Sequence, residues 1–257
     1  MLEKVRLIYR DDDCAILLQV YQCAPFKMSL DSIEIAAKCA PEEGILVNIE
    51  KAGITTVELF TNLKYLNDFE GVKRVCKKFP FRYAVHAPNE GFEMNLLAEL
   101  VDTLEAKTVV FHNIYWEDEW EDIIKVFKGI KTQLCIENTF SALEPLKFMR
   151  RFKMGLCLDL EHLQMECSGI FEEAFVPLIK MASHIHLTGY SHGSDLWHTH
   201  IHHSPEHSTY LLNLLRNSDY SGFVVSEAKT SLQTLTEFNH LNKFFQKWQN
   251  KKFNHSY

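Results

Sequence analysis

The chain has 257 residues, of which 46% are hydrophobic, with a formal net charge of −7 and a pI near 6.0. This length and apolar content suffice for one large barrel or two smaller domains. The acidic balance offers no general attraction for a phosphate backbone or an anionic lipid surface, so neither nucleic acid nor a membrane is the expected partner.

Near the start, "KVRLIY", "RDDD" and "CAILLQVY" read either as a hairpin added below a barrel, with residues 1–14 as an extension, or as the first strand itself. Acids stand where a signal peptide needs an unbroken apolar stretch, and no run approaches the length of a membrane span. A cytoplasmic protein is expected. Seven cysteines, at 14, 23, 39, 76, 135, 157 and 167, are odd in number and without a close pair. That spacing suggests neither a zinc ribbon nor a disulfide framework.

Further along, seven β-rich runs follow one another: "TTVELF" (55–60), "RYAVH" (82–86), "TVVFH" (108–112), "QLCIE" (133–137), "MGLCLD" (154–159), "SHIHL" (183–187) and "FVVSE" (223–227). "AILLQVY" (15–21) is taken as an eighth. Between them lie stretches such as "DFEGVKRVCKKF", "NLLAELVDTLEA", "EDEWEDIIKVFKGI" and "EEAFVPLIKMA", in which apolar residues recur at helical steps. Strand and helix alternate with no linker, which predicts an α/β fold, a (β/α)8 TIM barrel forming a single domain over residues 1–257. No G-x-G-x-x-G or P-loop pattern is present to support nucleotide binding.

The strands share an ending that packing does not ask for. At or near their last residues stand Glu58, His86, His112, Glu137, Asp159, His186 and Glu227. In a parallel barrel these converge on the C-terminal mouth, and so many ionisable groups in one place make best sense around a cation. Glu137, Asp159, His186 and Glu227 form a mostly hard donor set for one Mn²⁺, Mg²⁺ or Co²⁺. His86, His112, His162 and His198 add nitrogen donors that suit zinc, for more than one ion.

Glu58, His86, His162 and Lys229 are candidates for contact with substrate: Glu58 with hydroxyls, the alternative being a buried acid paired with a lysine, and Lys229 with an anionic group. The segment from His184 to His207 holds eight of the thirteen histidines. Within it, His184 is expected to face the surrounding helices, while His192, His202, His203 and His207 are read as members of an exposed loop rather than ligands.

"VHAP" (85–88), "FHN" (111–113), "IENT" (136–139), "CLDLEH" (157–162), "HIHL" (184–187) and "VSEAK" (225–229) resemble the strand-end motifs of the xylose isomerase-like TIM barrels. That superfamily includes sugar isomerases, ketose 3-epimerases and endonuclease IV. Resemblance to the epimerases implies one divalent ion on Glu137, Asp159, His186 and Glu227. It further implies that Glu137 and Glu227 exchange a proton with the carbon beside a carbonyl of a small sugar-like substrate.

Resemblance to endonuclease IV implies instead a zinc-dependent phosphodiesterase, with metal roles also for His86, His112, His162 and His198. Two departures weigh against that branch: Leu196 stands at the aspartate of its D-R-H motif, and Asn89 replaces the aromatic residue after H-A-P. The expectation is therefore a metal-dependent isomerase or epimerase. The alternatives are the phosphodiesterase and a non-catalytic barrel that binds metal or sugar.

Overall fold

The computed structural model describes residues 33–251. Eight parallel strands close into a barrel: β1 (Ile33–Cys39), β2 (Thr56–Phe60), β3 (Arg82–His86), β4 (Thr108–His112), β5 (Gln133–Glu137), β6 (Gly155–Asp159), β7 (Ala182–Leu187) and β8 (Gly222–Ser226). Neighbours pair in chain order, and β1 closes against β8 through Ile33–Gly222 to Ala37–Ser226. Helices fill the connections, among them Phe69–Cys76, Met94–Thr103, Glu117–Val126 and Glu172–Ile179 in the four amphipathic stretches read from sequence.

Seven strands lie where the apolar runs predict them. The eighth does not: the strand that completes the barrel is Ile33–Cys39, not residues 15–21. Residues 1–32, with the proposed extension, the hairpin and the run at 15–21, lie outside the described residues, as do residues 252–257.

The strands read as continuous apolar runs because both of their faces are covered. Outward residues such as Val57, Val85, Val109, Phe111, Ile136, Leu158, Ile185 and Val224 join one large core beneath the helices. The alternate positions form two small clusters inside the barrel, Ala36, Ala84, Phe223 and Val225 on one side and Val110, Cys135 and Cys157 on the other. This two-residue alternation carries Lys38, His86, His112, Glu137 and Asp159 to the inner face as well, one step above those clusters.

Close approach dictates one residue in this interior. A β-carbon on Gly155 would lie 2.6 Å from Ser183 Oγ and 2.9 Å from Cys135 Sγ, so the start of β6 accepts only glycine without displacing its neighbours. Among the described residues no helix is long and apolar enough to cross a membrane.

Candidate metal centre

His86, His112, Glu137 and Asp159 are the last residues of β3, β4, β5 and β6, His186 is the penultimate residue of β7, and Glu227 directly follows β8. Their side chains meet. His186 Nδ1 lies 3.0 Å from Glu227 Oε2, 3.3 Å from Glu137 Oε1 and 3.9 Å from Asp159 Oδ2. One donor atom from each of these four residues falls within 4.8 Å of all the others.

His186 Nδ1 and Glu227 Oε2 are buried and, though 3.0 Å apart, make no hydrogen bond of good geometry to each other or to another group. Orphaned polar atoms of this kind are rare in folded interiors. A divalent cation would satisfy both, and three carboxylates with one imidazole is a donor set that such an ion accepts.

Each ligand candidate is held from behind. Glu58 lies in mid-strand and fully buried, with Oε2 2.7 Å from His184 Nε2 and Oε1 3.1 Å from His186 Nε2. It thereby turns the Nδ1 edge of His186 toward the cluster, as carboxylates behind metal-binding histidines commonly do. Asp159 Oδ1 accepts the backbone N–H of His162 at 2.8 Å, capping helix Leu160–Glu166, and its other oxygen is left for the cluster. The three-residue spacing from Asp159 to His162 is thus that of a helix cap. Asn138 clamps the same residue, donating Nδ2–H to the Asp159 carbonyl at 3.1 Å and accepting its N–H at 2.7 Å.

On the other side of the mouth, His86 Nε2 and His112 Nε2 stand 3.0 and 3.3 Å from Glu137 Oε2. His162 Nδ1 sits 2.8 Å from the Asn138 carbonyl and 3.9 Å from Glu137 Oε1, at the edge of the cluster.

A residue that sequence reasoning missed completes the ring. Lys38, on β1, donates from Nζ to Glu227 Oε1 at 2.6 Å and lies 3.6 Å from Glu58 Oε1. Nothing in "IEIAAKC" singles this lysine out, because its partners are distant in the chain. A second omission is Glu161, which is buried and accepts from the Thr188 hydroxyl at 2.5 Å and the His198 N–H at 3.2 Å, tying the segment after β7 to the helix after β6.

Other candidates fall elsewhere. His198 Nδ1 lies 3.5 Å from Glu161 Oε1 with half of its side chain exposed, apart from the four-residue cluster. Lys229 is exposed, its backbone N–H bonded to the His198 carbonyl. Glu58 lies beneath the ring, closed off by the two β7 imidazoles, rather than at its surface. His184 does not face the helices: it is fully buried and points inward with His186, because residues two apart on a strand share a face.

Charge in the ring is self-consistent. Burial is the strongest single influence on Lys38 and works against its charge, yet Glu227, Glu58 and Glu137 more than offset it and hold the ammonium above the ordinary lysine range. Burial likewise opposes the charge of His186, but the thiol of Cys157 and the carboxylates of Glu58, Glu137 and Glu227 hold the imidazole well above its usual range. For Glu137 and Glu227, burial is outweighed by His186 in the first case and by Lys38 and His186 in the second, so both stay ionised. Asp159 is the exception, pushed up to about 6 by burial and by its acidic neighbours Glu137 and Glu227 against the pull of His162.

Glu58 yields a signed expectation. Despite burial, which opposes its ionisation, His186, His184 and Lys38 hold its carboxyl well below the usual range. A folded pKa below the unfolded value of about 4.3 contributes stability that is full above that value and is lost as pH falls toward the folded one. Urea unfolding of metal-free protein should therefore show wild type more stable than Glu58→Gln at pH 7, with the gap narrowing below about pH 5. A gap that stays constant with pH would refute this assignment.

No protein-family model matches the chain, and no curated protein matches it. Solved structures do. A D-allulose 3-epimerase from Methylomonas sp. superposes with a TM-score of 0.60 at 11% identity, over 85% of this chain and 98% of that one. An L-ribulose 3-epimerase gives 0.57 at 12% identity, over 87% and 99%. The phosphoribosyl anthranilate isomerase of Thermus thermophilus gives 0.53 at 8% identity, over 83% and 98%.

The fold is the (β/α)8 TIM barrel, as in these solved sugar 3-epimerases. In this barrel the four clustered donors come from consecutive strands, β5 to β8, and occupy one half of the mouth. Lys38, His86 and His112, from β1, β3 and β4, hold the other half. Exposed aromatic residues stand in the segments that follow β4, β5 and β7, namely Trp116, Phe140 and Trp197.

Proposed function

We propose that the protein is a divalent-metal-dependent isomerase or epimerase that acts on a small sugar or sugar-like hydroxy-carbonyl compound. The observation that carries this reading is the convergence of Glu137, Asp159, His186 and Glu227 at the end of the barrel where enzymes of this architecture place their chemistry. A solved neighbour of the same fold is a D-allulose 3-epimerase in complex with D-allulose.

Glu137 and Glu227 are the proton-transfer pair in this reading. Both are ionised, and both reach the same point beside His186. Glu227 has 18% of its side chain open to solvent, against 2% for Glu137, and so is the more accessible to a substrate entering from the mouth. One carboxylate removes the proton from a C–H beside a carbonyl. Returning it to the neighbouring carbon gives isomerisation, whereas epimerisation requires the other glutamate to take up a proton from solvent first and deliver it to the opposite face. When bound, a divalent cation supplies Lewis-acid stabilisation of the negative charge that develops on the substrate oxygens. Lys38 fixes one oxygen of Glu227 and favours its ionised form. Trp116, Phe140 and Trp197 offer apolar faces against which a sugar ring can rest.

A second reading has an observation of its own. The Nε2 atoms of His86 and His112 converge on one oxygen of Glu137, an arrangement in which Glu137 could bridge two zinc ions in a phosphodiesterase. Two incubations decide between them. Metal-loaded protein offered a panel of aldoses and ketoses is expected to convert one to its isomer or epimer, and with Zn²⁺ it is expected to leave abasic-site DNA intact. Nicked DNA with no sugar converted would overturn the proposal, and loss of bound zinc in His112→Ala would accompany that result.

A further inference from the structure

Outside the barrel, a second group of metal-ligating side chains comes together that the proposed reaction does not use. Ile201–His203 forms a single 3-10 turn just before helix Pro205–Asn217, and it packs on helix Leu235–Gln249. There, His202 Nε2 and His203 Nε2 lie 3.1 and 2.8 Å from the same atom, Glu237 Oε2. The three donor atoms fall within 4.8 Å of one another. His202 has only 12% of its side chain exposed and Glu237 19%, so the donors stand in a recess, with His203 at 31% forming its outer wall.

Two further observations point to a ligand. His202 Nδ1 is buried without a hydrogen-bond partner, which leaves the ring held through its Nε2 at Glu237. His240, one helical turn beyond Glu237, brings a fourth ionisable ring to the group, its centroid 5.5 Å from that of His202. Two imidazole nitrogens and a carboxylate oxygen converging from two directions, with an open side, form the three-ligand set typical of zinc.

The geometry points to a second metal site, in which His202, His203 and Glu237 bind a zinc-class divalent cation on the outer face of the barrel. Its position gives it a structural task. The turn leads out of the segment that carries Trp197 and His198, and it is anchored to the end of β8 by the Ile201 N–H and His200 Nδ1, at 3.3 and 3.0 Å from Ser226 Oγ. Ser226 immediately precedes Glu227. An ion at His202, His203 and Glu237 therefore staples the β7–β8 connection to the helix that follows β8 and holds one wall of the mouth in place.

The test uses full-length protein without an affinity tag, stripped by chelator and titrated with Zn²⁺ against a chromophoric competitor. Two classes of site are expected in wild type. In His203→Ala and in Glu237→Gln one class weakens by at least the roughly 10- to 100-fold that loss of a supporting residue costs a metal site, while the other is unchanged, and Asp159→Asn shows the converse. Cobalt in place of zinc should give the intense visible bands of a low-coordinate site in wild type and in Asp159→Asn, and lose them in His203→Ala. Zinc affinities and cobalt spectra in His203→Ala and Glu237→Gln equal to those of wild type would overturn the inference. So would a wild type whose zinc binding is wholly removed by Asp159→Asn. Because the variants separate the outer site from the mouth, failure here leaves the proposed reaction standing, and the reverse also holds. Matching circular dichroism and melting temperature of the metal-free variants show that each comparison is made on folded protein.

Discussion

Glu227→Gln is expected to slow exchange of the proton beside the substrate carbonyl by about 10²- to 10⁴-fold, the range that a positioned general base contributes. Glutamine keeps the size of the side chain and an oxygen that can still accept from Lys38 Nζ, which lies 2.6 Å from Glu227 Oε1 in the native protein. What it loses is the ability to take up a proton. Glu137, Asp159 and His186 remain as donors, so a divalent ion should still bind, more weakly with one anionic ligand fewer. Incubation of the ketose substrate in D₂O with metal-loaded enzyme, followed by NMR, reads deuterium incorporation at that carbon directly, while elemental analysis reads the metal. Wild-type incorporation in Glu227→Gln would remove this residue from proton transfer.

Lys38→Met should destabilise the metal-free protein by about 3–5 kcal/mol, the cost of leaving buried charge without its counter-ion. Lys38 is 8% exposed and stands between two carboxylates, Glu58 at 3.6 Å and Glu227 at 2.6 Å. Methionine fills much the same volume, so the loss is electrostatic rather than a cavity. Two further consequences carry a sign. Removing the cation raises the pKa of Glu227, which moves the acid limb of the pH–rate profile to higher pH. The same change leaves the cluster more negative, so divalent metal binds more tightly and recovers part of the lost stability. Urea unfolding with and without metal, beside Lys38→Arg as the variant that keeps the charge, checks both. A loss of stability under about 1 kcal/mol would mean that Lys38 is not the counter-ion of this ring.

Much of this molecule is legible in its sequence. A strand covered on both faces is an apolar run, and seven of the eight strands announce themselves in that way, with β3, β4 and β5 spanning the residues predicted for them. A chemical residue at the end of such a run stands at the C-terminal mouth of a parallel barrel, so the ring from which Glu137, Asp159, His186 and Glu227 are drawn could be read from position. The first strand was hidden because "IEIAAKC" has two alanines and a lysine, while the more hydrophobic "AILLQVY" lay close by.

The limits appear wherever a partner is remote in the chain or the backbone leaves the sheet. The role of Lys38 exists only because β1 closes on β8, which brings it to Glu227 across 189 residues of sequence. Glu58 reads as one more strand end, and only closure of the barrel sets it below the ring against His184, 126 residues away. His198 and Lys229 lie beyond the strands, where no two-residue period governs direction, and the structure turns them toward Glu161 and toward solvent. His202 and His203 likewise read as two members of a histidine-rich loop, and Glu237 as a helix residue, until packing of the turn on the last long helix joins them. Sequence by itself determined the barrel and the kind of residue at its mouth, because strand period and strand polarity are local properties. Which atoms face one another was decided by the tertiary structure, because hydrogen bonds and ion pairs depend on contacts that only barrel closure and helix packing create.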